Sequence, residues 1–298
     1  MPSEQAPGTL GPYPSLGLYW RHLFGEPVWR VSLDAGLSCP NRDGTLGKGG
    51  CTFCDPASFA PSAGDPRPVS EQLADGMARL RRSRGARRFA AYFQPHTNTY
   101  AAPETLERLW DQISRVPEVV ALCVGTRPDC VPDPVLDLLA RFPDRLDVWL
   151  ELGLPSARDD TLQRLRRCHR ASDFADAAGR AHGRGLRVCA HLILGLPGEG
   201  PADEAATAAF VAASGTDGVK LHQLAVVAGT SLEREWREGQ VVTLDEPEYV
   251  LRAVAFVGAL PATTVLHRLV GDTAPTALLA PRYDKGRVVR EIRTRLHG

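Results

Sequence analysis

The chain has 298 residues, 43% of them hydrophobic and 23% charged, a composition that supports a packed core and argues against intrinsic disorder. Lysine plus arginine and aspartate plus glutamate both number 35, so the formal net charge is zero, which excludes a whole-molecule field drawing the protein to nucleic acid or an anionic membrane. No apolar run approaches the roughly 18 residues of a membrane span, and the start, MPSEQAPGTLGPYPS, lacks the basic and apolar regions of a signal peptide, so the expected location is the cytoplasm, with no membrane partner.

In chain order, residues 1–17 read as a flexible N-terminal extension ahead of one domain over 18–298, with a C-terminal extension from about 245. The first strand is VWRVSL (28–33), and a helix near 70–84 follows, opened by Ser70 and Glu71. Next come RFAAYF (88–93), a helix near 103–115 opened by Pro103 and Glu104, VVALCV (119–124), a helix near 133–142 and DVWLEL (147–152). Helices near 157–168 and 171–184 lead to RVCAHLIL (187–194), and one near 202–214 leads to GVKLHQL (218–224). A helix near 246–259, opened by Asp245, Glu246 and Pro247, precedes TTVLHRL (263–269) and a last helix near 286–296. The strand segments are short, β-branched and aromatic, whereas the intervening segments carry helical caps and periodicity. A strand recurs every 30 residues or so, the length of a βαβ unit. That repetition implies an α/β fold with a parallel sheet, closed or partly closed, and helices outside.

Cys39, Cys51 and Cys54 lie within SLDAGLSCPNRDGTLGKGGCTFC, immediately after the first strand. In such folds the loops at the carboxyl ends of strands carry function, and Gly44, Gly47, Gly49 and Gly50 should make this loop flexible. Three clustered thiols supply three metal ligands and leave one coordination position open. A zinc knot completed by His96, Cys130 or His169 is the structural alternative, although zinc modules usually show a second ligand pair. A [4Fe-4S] cluster with one open iron, able to bind S-adenosylmethionine (SAM) and cleave it reductively, is the functional one. Cys123, Cys130, Cys168 and Cys189 are scattered and should be buried thiols.

The string CPNRDGTLGKGGCTFC, with YFQPHTNTYA (92–101), VGTRPDCVPD (124–133), WLELGL (149–154), HLILGLPGE (191–199), KLHQL (220–224) and HRLVGD (267–272), resembles the YhcC-like radical SAM family. That family is itself similar to the radical domain of the elongator catalytic subunit. The resemblance runs from about residue 18 to about 290. It implies a partial, TIM-like (β/α)6 barrel, a [4Fe-4S] cluster held by Cys39, Cys51 and Cys54, SAM as cofactor, and an external electron donor of the flavodoxin or ferredoxin type.

By the same resemblance Phe53 packs against cluster or adenine, simple loop packing being its alternative. The segment Gln94–Thr99 stands where related enzymes hold the methionine amino group, with Asn98, Thr97 and Thr99 offering polar atoms. Arg167 falls where an arginine meets the methionine carboxylate, though Arg164 and Arg166 beside it also suit a solvated helix face, and Cys168 stands where the family usually has glycine. Backbone near Ile193 and Leu194 would lie against adenine. Related enzymes place a ribose-binding glutamine after the fourth strand, where this chain has Pro155, which offers no side-chain donor or acceptor. Glu151 or Ser156 would then hold the ribose, or Glu151 would instead form a structural salt bridge with Arg127.

Lys220 and His222 alternate on the sixth strand and should face one way; with His267, and with His191 and Arg268 at other strand ends, they are candidates for meeting substrate inside the barrel. Two arginine-rich stretches, RLRRSRGARR (79–88) and RLRRCHR (164–170), could contact RNA, although such faces are usually only solvated. The resemblance makes tRNA, at the wobble uridine side chain, the leading substrate. A small-molecule or peptide substrate is the enzymatic alternative, and a non-enzymatic zinc or iron-sulfur protein that binds RNA or carries electrons is the alternative of another class.

Overall fold

Seven parallel strands form one sheet in which each lies beside the one before it in the chain, the arrangement that successive βαβ units produce. The structure, a computed structural model, describes residues 10–297. The strands are β1 (Val28–Leu33), β2 (Arg88–Phe93), β3 (Val119–Thr126), β4 (Asp147–Gly153), β5 (Arg187–Leu194), β6 (Gly218–Gln223) and β8 (Val265–Arg268). A small antiparallel pair, β7 (Val226–Val227) and β9 (Leu278–Ala280), ties the C-terminal region to the loop after β6. The sheet curls into a half-barrel with β1 and β8 as its two outer strands, which do not pair with each other among the described residues.

The helices are α1 (Leu16–Phe24), α2 (Pro56–Phe59), α3 (Val69–Arg84), α4 (Pro103–Ser114), α5 (Asp133–Leu139), α6 (Asp159–Arg164), α7 (Ala171–His182), α8 (Pro201–Ala213), α9 (Ser231–Arg237), α10 (Glu246–Gly258) and α11 (Lys285–His297). Alternation along each strand builds two apolar layers. Outward-facing Val31, Leu33, Phe93, Leu122, Leu150 and Leu192 join the core shared with the outer helices. Inward-facing Ala90, Tyr92, Cys123, Trp149 and Cys189 pack against Leu16, Tyr19 and Trp20 of α1. Cys123, Cys130 and Cys189 are buried as expected, but Cys168 is exposed.

Helix α1 is therefore the plug at the amino ends of the strands. Ser15 caps it by accepting from the Leu18 N–H, and Gly25 ends it at φ 74°, a standard start signal and a standard stop signal. Tyr19 and the Trp20 indole N–H both donate to the Asp147 carboxylate. The expected extension over 1–17 falls partly outside the described residues, which begin at residue 10. Within them Tyr13 N–H donates to the Ala262 carbonyl at 2.7 Å and Leu266 N–H to the Pro14 carbonyl at 2.8 Å, so this stretch is bonded to the β8 edge.

Candidate active site

The long loop after β1 is closed at its base by Asp34, whose carboxylate accepts from the Gly36 N–H at 2.8 Å and the Gly64 N–H at 2.7 Å. Its glycines serve turn geometry: Gly50 has φ 85°, and a Cβ there would stand 2.9 Å from Arg42 Nη1. The cysteine end of the loop is held in place by Thr52, whose N–H donates to the Leu165 carbonyl and whose carbonyl accepts from the Leu232 N–H. The three thiols thus face a cavity of about 230 Å³ at the carboxyl ends of the strands.

Two N–H groups point at one of the sulfurs. Asn41 Nδ2 lies 3.4 Å and Arg167 Nη1 3.5 Å from Cys51 Sγ, so this sulfur accepts from two donors of the surrounding loops. Burial, with Cys51 beside it, pushes the Cys54 thiol up to about 12, so a nearby cation is needed for it to serve as a ligand. Among the described residues no three His, Cys, Asp or Glu side chains are grouped to hold a single ion. Of the candidate fourth ligands, His169 instead receives Arg167 Nε at 3.1 Å and sits against the Arg170 carbonyl. Thiolates that bind separate irons of a cluster need not converge on one point.

The cavity wall also keeps polar atoms unspent. His96 Nδ1, Thr97 Oγ1 and Arg127 Nη1 are buried without a protein partner, and all three residues line the cavity. Buried polar groups are nearly always hydrogen-bonded, so a ligand rich in amino, carboxylate and hydroxyl groups suits this wall. Such donors and the sulfur-directed N–H groups fit a cluster with SAM.

Below the thiols lies a charged interior. Glu151, wholly buried on β4, accepts from His191 Nε2 at 2.6 Å, Lys220 Nζ at 3.0 Å and His267 Nδ1 at 3.2 Å. Lys220 also donates to the Tyr92 hydroxyl and stands 4.3 Å from the centre of its ring. Burial alone would raise the Glu151 carboxyl, but the Lys220 ammonium and the two histidine hydrogen bonds outweigh it and hold it well below the usual range. Burial brings Lys220 down to about 8 and His191 to about 4, and it lowers His222 and His267 as well. The histidines are therefore neutral at pH 7, with His191 and His267 donating to Glu151, and the Lys220–Glu151 pair carries the charge.

Cys39, Cys51, Cys54, Phe53, Gln94, Glu151, Arg167, Ile193, Lys220 and His222 all lie on this one cavity. Three candidates do not. Asn98 is buried and spends its amide N–H groups on the Pro95 and Gly125 carbonyls, 2.9 Å each, which leaves Thr97 as the neighbour facing the cavity. Leu194 turns outward into the helix-packed core, as strand alternation from Ile193 demands. His267 sits behind Glu151, its ring 4.3 Å from that of Trp149. Gln94 lines the cavity with its amide donating to the Phe59 carbonyl at 2.6 Å.

Arg127 pairs with Asp129 at 2.7 Å and not with Glu151, because the two are neighbours in one turn. Pro155 lines the cavity, but Ser156 turns to the Glu199 carboxylate, so of the two expected ribose partners only Glu151 faces inward. Cys168 has φ 55°, which accounts for glycine being the expected residue there. Tyr92 escapes the residue-by-residue reading of the sequence; its even spacing from the inward Ala90 is the signal that would have found it. The stretch 79–88 ends α3 and opens β2, at the opposite end of the sheet from the cavity, and its Arg81 pairs with Glu118 and its Arg87 and Arg88 with Glu26. Arg164 and Arg166 instead follow β4 and border the cysteine loop, where the Arg166 carbonyl accepts from Asn41.

Comparison with known proteins agrees with this geometry. The Radical SAM superfamily model matches residues 43–211, and that of the Radical_SAM C-terminal domain matches residues 216–297. Protein YhcC of Escherichia coli K12 is 43% identical over 265 residues, 89% of this chain and 85% of that protein. The tRNA uridine(34) acetyltransferase of Dehalococcoides mccartyi is 36% identical over 124 residues, 41% of this chain and 26% of that protein. The solved structure of the archaeal Methanocaldococcus infernus Elp3 superposes with a TM-score of 0.68 at 18% identity, covering 90% of this chain and 62% of that one. The chain belongs to the radical SAM superfamily, within the group formed by YhcC and its homologues. It is an enzyme of the class that binds a [4Fe-4S] cluster and SAM and draws its electron from an external reductant.

Proposed function

We propose that this enzyme modifies RNA at the wobble uridine of a tRNA, with Cys39, Cys51 and Cys54 holding the cluster. When bound there, the cluster would supply the one-electron reduction of SAM on which radical chemistry of this class depends. The chain's own part is positioning. Arg167 and Asn41 direct N–H groups at Cys51, Thr97 and Arg127 present unspent polar atoms to the methionine end, and Ile193 offers an apolar face to the adenine. Phe53 closes the cysteine side, and Lys220 with His222 meets the substrate. A flavodoxin or ferredoxin in the cytoplasm supplies the electron.

The observation that carries the radical reading is the pair of N–H donors aimed at Cys51 Sγ beside two further thiols, above an interior that is polar where most barrels are apolar. The choice of tRNA is supported by the sequence similarity to an enzyme named for uridine 34 of tRNA. It is tested by comparing modified nucleosides in tRNA from cells with and without the gene. Loss of one modified wobble uridine, with accumulation of its precursor, is expected; an unchanged profile would remove tRNA and leave a small-molecule or peptide substrate.

A further inference from the structure

The outer strands β1 and β8 do not meet, and the seam between them holds a second cavity of about 400 Å³. Trp20 of α1 lies on one side of it, and α11 brings Lys285 and Arg293 to its rim. Arg30 enters from β1. Arg268 enters from β8, where a register shift sets it opposite the inward-facing Lys220.

The charges there do not balance. Among the described residues Asp272 is the one acidic group in the wall, and it pairs with Arg268 at 3.0 Å and with Lys285. Arg30 makes no ion pair among the described residues. Its guanidinium lies 5.6 Å over the Tyr92 ring, and its Nη1 is buried with no hydrogen-bond partner. Four cations thus face a single carboxylate. Burial and the charge of Arg30 lower Arg268, and burial and the charge of Arg268 bring Lys285 down to about 8, as expected of like charges held close together.

We propose that the seam is a binding site for a phosphate group carried by the substrate, with Arg30 as its unpaired ligand and with Lys285 and Arg268, which share Asp272, completing the cation cluster. A tetrahedral anion accepts from several directions at once, which suits guanidinium and ammonium groups converging from β1, β8 and α11. The seam adjoins the reaction cavity: Asp272 lines both, and Tyr92, which carries Arg30 over its ring, lines the main one. A phosphate in the seam would therefore place the attached nucleoside or sugar beside Lys220. The inference rests on the main cavity being where the substrate reacts.

The test is calorimetric titration of the full-length protein, cluster in place, with uridine, uridine 5′-monophosphate and a uridine trinucleotide with hydroxyl ends. At least one phosphate-bearing ligand should bind about tenfold more tightly than uridine and weaken as salt is raised. Arg30→Gln and Lys285→Ala should each weaken that binding by about tenfold; the second sits on a helix surface with its side chain 42% exposed, so the fold is not at risk. Preference for the trinucleotide assigns the phosphodiester of an RNA, and preference for the mononucleotide assigns a free phosphate monoester. Equal binding of uridine and its phosphates, or unchanged affinity in Lys285→Ala, overturns the proposal. Neither result depends on SAM cleavage, so the radical reading stands or falls separately.

Discussion

Lys220 Nζ and Glu151 Oε2 lie 3.0 Å apart with both side chains almost wholly withdrawn from water, at 1% and 0% exposure. They come from strands 69 residues apart, and the barrel's curvature brings them together across β5. Removing one member of a buried pair leaves an uncompensated charge, which costs about 3–5 kcal/mol. Glu151→Gln should destabilise the protein by that order in chemical denaturation, and the double substitution Glu151→Gln with Lys220→Met should recover a large part of the loss. A single substitution no costlier than a surface change would mean that the pair is not part of the fold's core.

The histidines around this pair set an acid limit on stability. His191 has a folded value near 4, below the 6.5 of the unfolded chain. Between those values the unfolded state binds a proton that the folded state does not, so stability falls as pH drops from 6.5 towards 4, by about 1.4 kcal/mol per unit for a fully shifted histidine. His222 and His267, also lowered by burial, act in the same direction. Glu151, held well below its usual range, keeps its contribution above pH 4.5 and loses it as pH falls through the folded value. Denaturation midpoints from pH 7 to 4 should fall steeply, and His191→Gln should flatten the slope; a parallel decline in that variant would contradict the assignment.

Gly153 separates the site from the fold. A Cβ on it would stand 2.7 Å from Arg167 Nη2, which now donates to the Gly153 carbonyl at 3.0 Å. Because the end of an arginine is flexible, Gly153→Ala should displace Arg167 at a stability cost below about 1 kcal/mol, yet weaken SAM binding by roughly tenfold through loss of a positioned charge-assisted donor. Equilibrium dialysis with SAM, beside a melting curve, distinguishes this from a general loss of structure.

Trp20→Ala tests whether α1 is part of the core. The side chain is 2% exposed and donates to Asp147 at 2.8 Å, so its removal should cost about 3–5 kcal/mol. A loss below about 1 kcal/mol, the size of a surface effect, would mean that the barrel end is closed without it.

The strands were legible because parallel strands buried on both faces read as continuous β-branched and aromatic runs, and those at 28–33, 88–93 and 187–194 coincide with β1, β2 and β5. Helix α1 was not, since nine residues span too few turns for a period to stand out; its Ser15 and Gly25 caps were the readable signal. The position of the cysteine triplet on the cavity was legible, because its loop directly follows β1. What surrounds Glu151 was legible only by half. Alternation put Lys220 and His222 on one face, but the choice of partner depends on barrel curvature, and local proximity gave Arg127 to Asp129 instead. Asn98 had suitable chemistry in a loop with no periodicity to say which of three adjacent polar residues faces inward.

The most direct test is anaerobic reconstitution with iron and sulfide, followed by reduction in the presence of SAM. The wild-type protein should turn brown, hold about four irons and four sulfides, and release 5′-deoxyadenosine, whereas Cys51→Ala should lose the cluster and the product together. A colourless protein that retains zinc, or a Cys51→Ala variant that still forms 5′-deoxyadenosine, would contradict the assignment of Cys39, Cys51 and Cys54 as the site of radical generation.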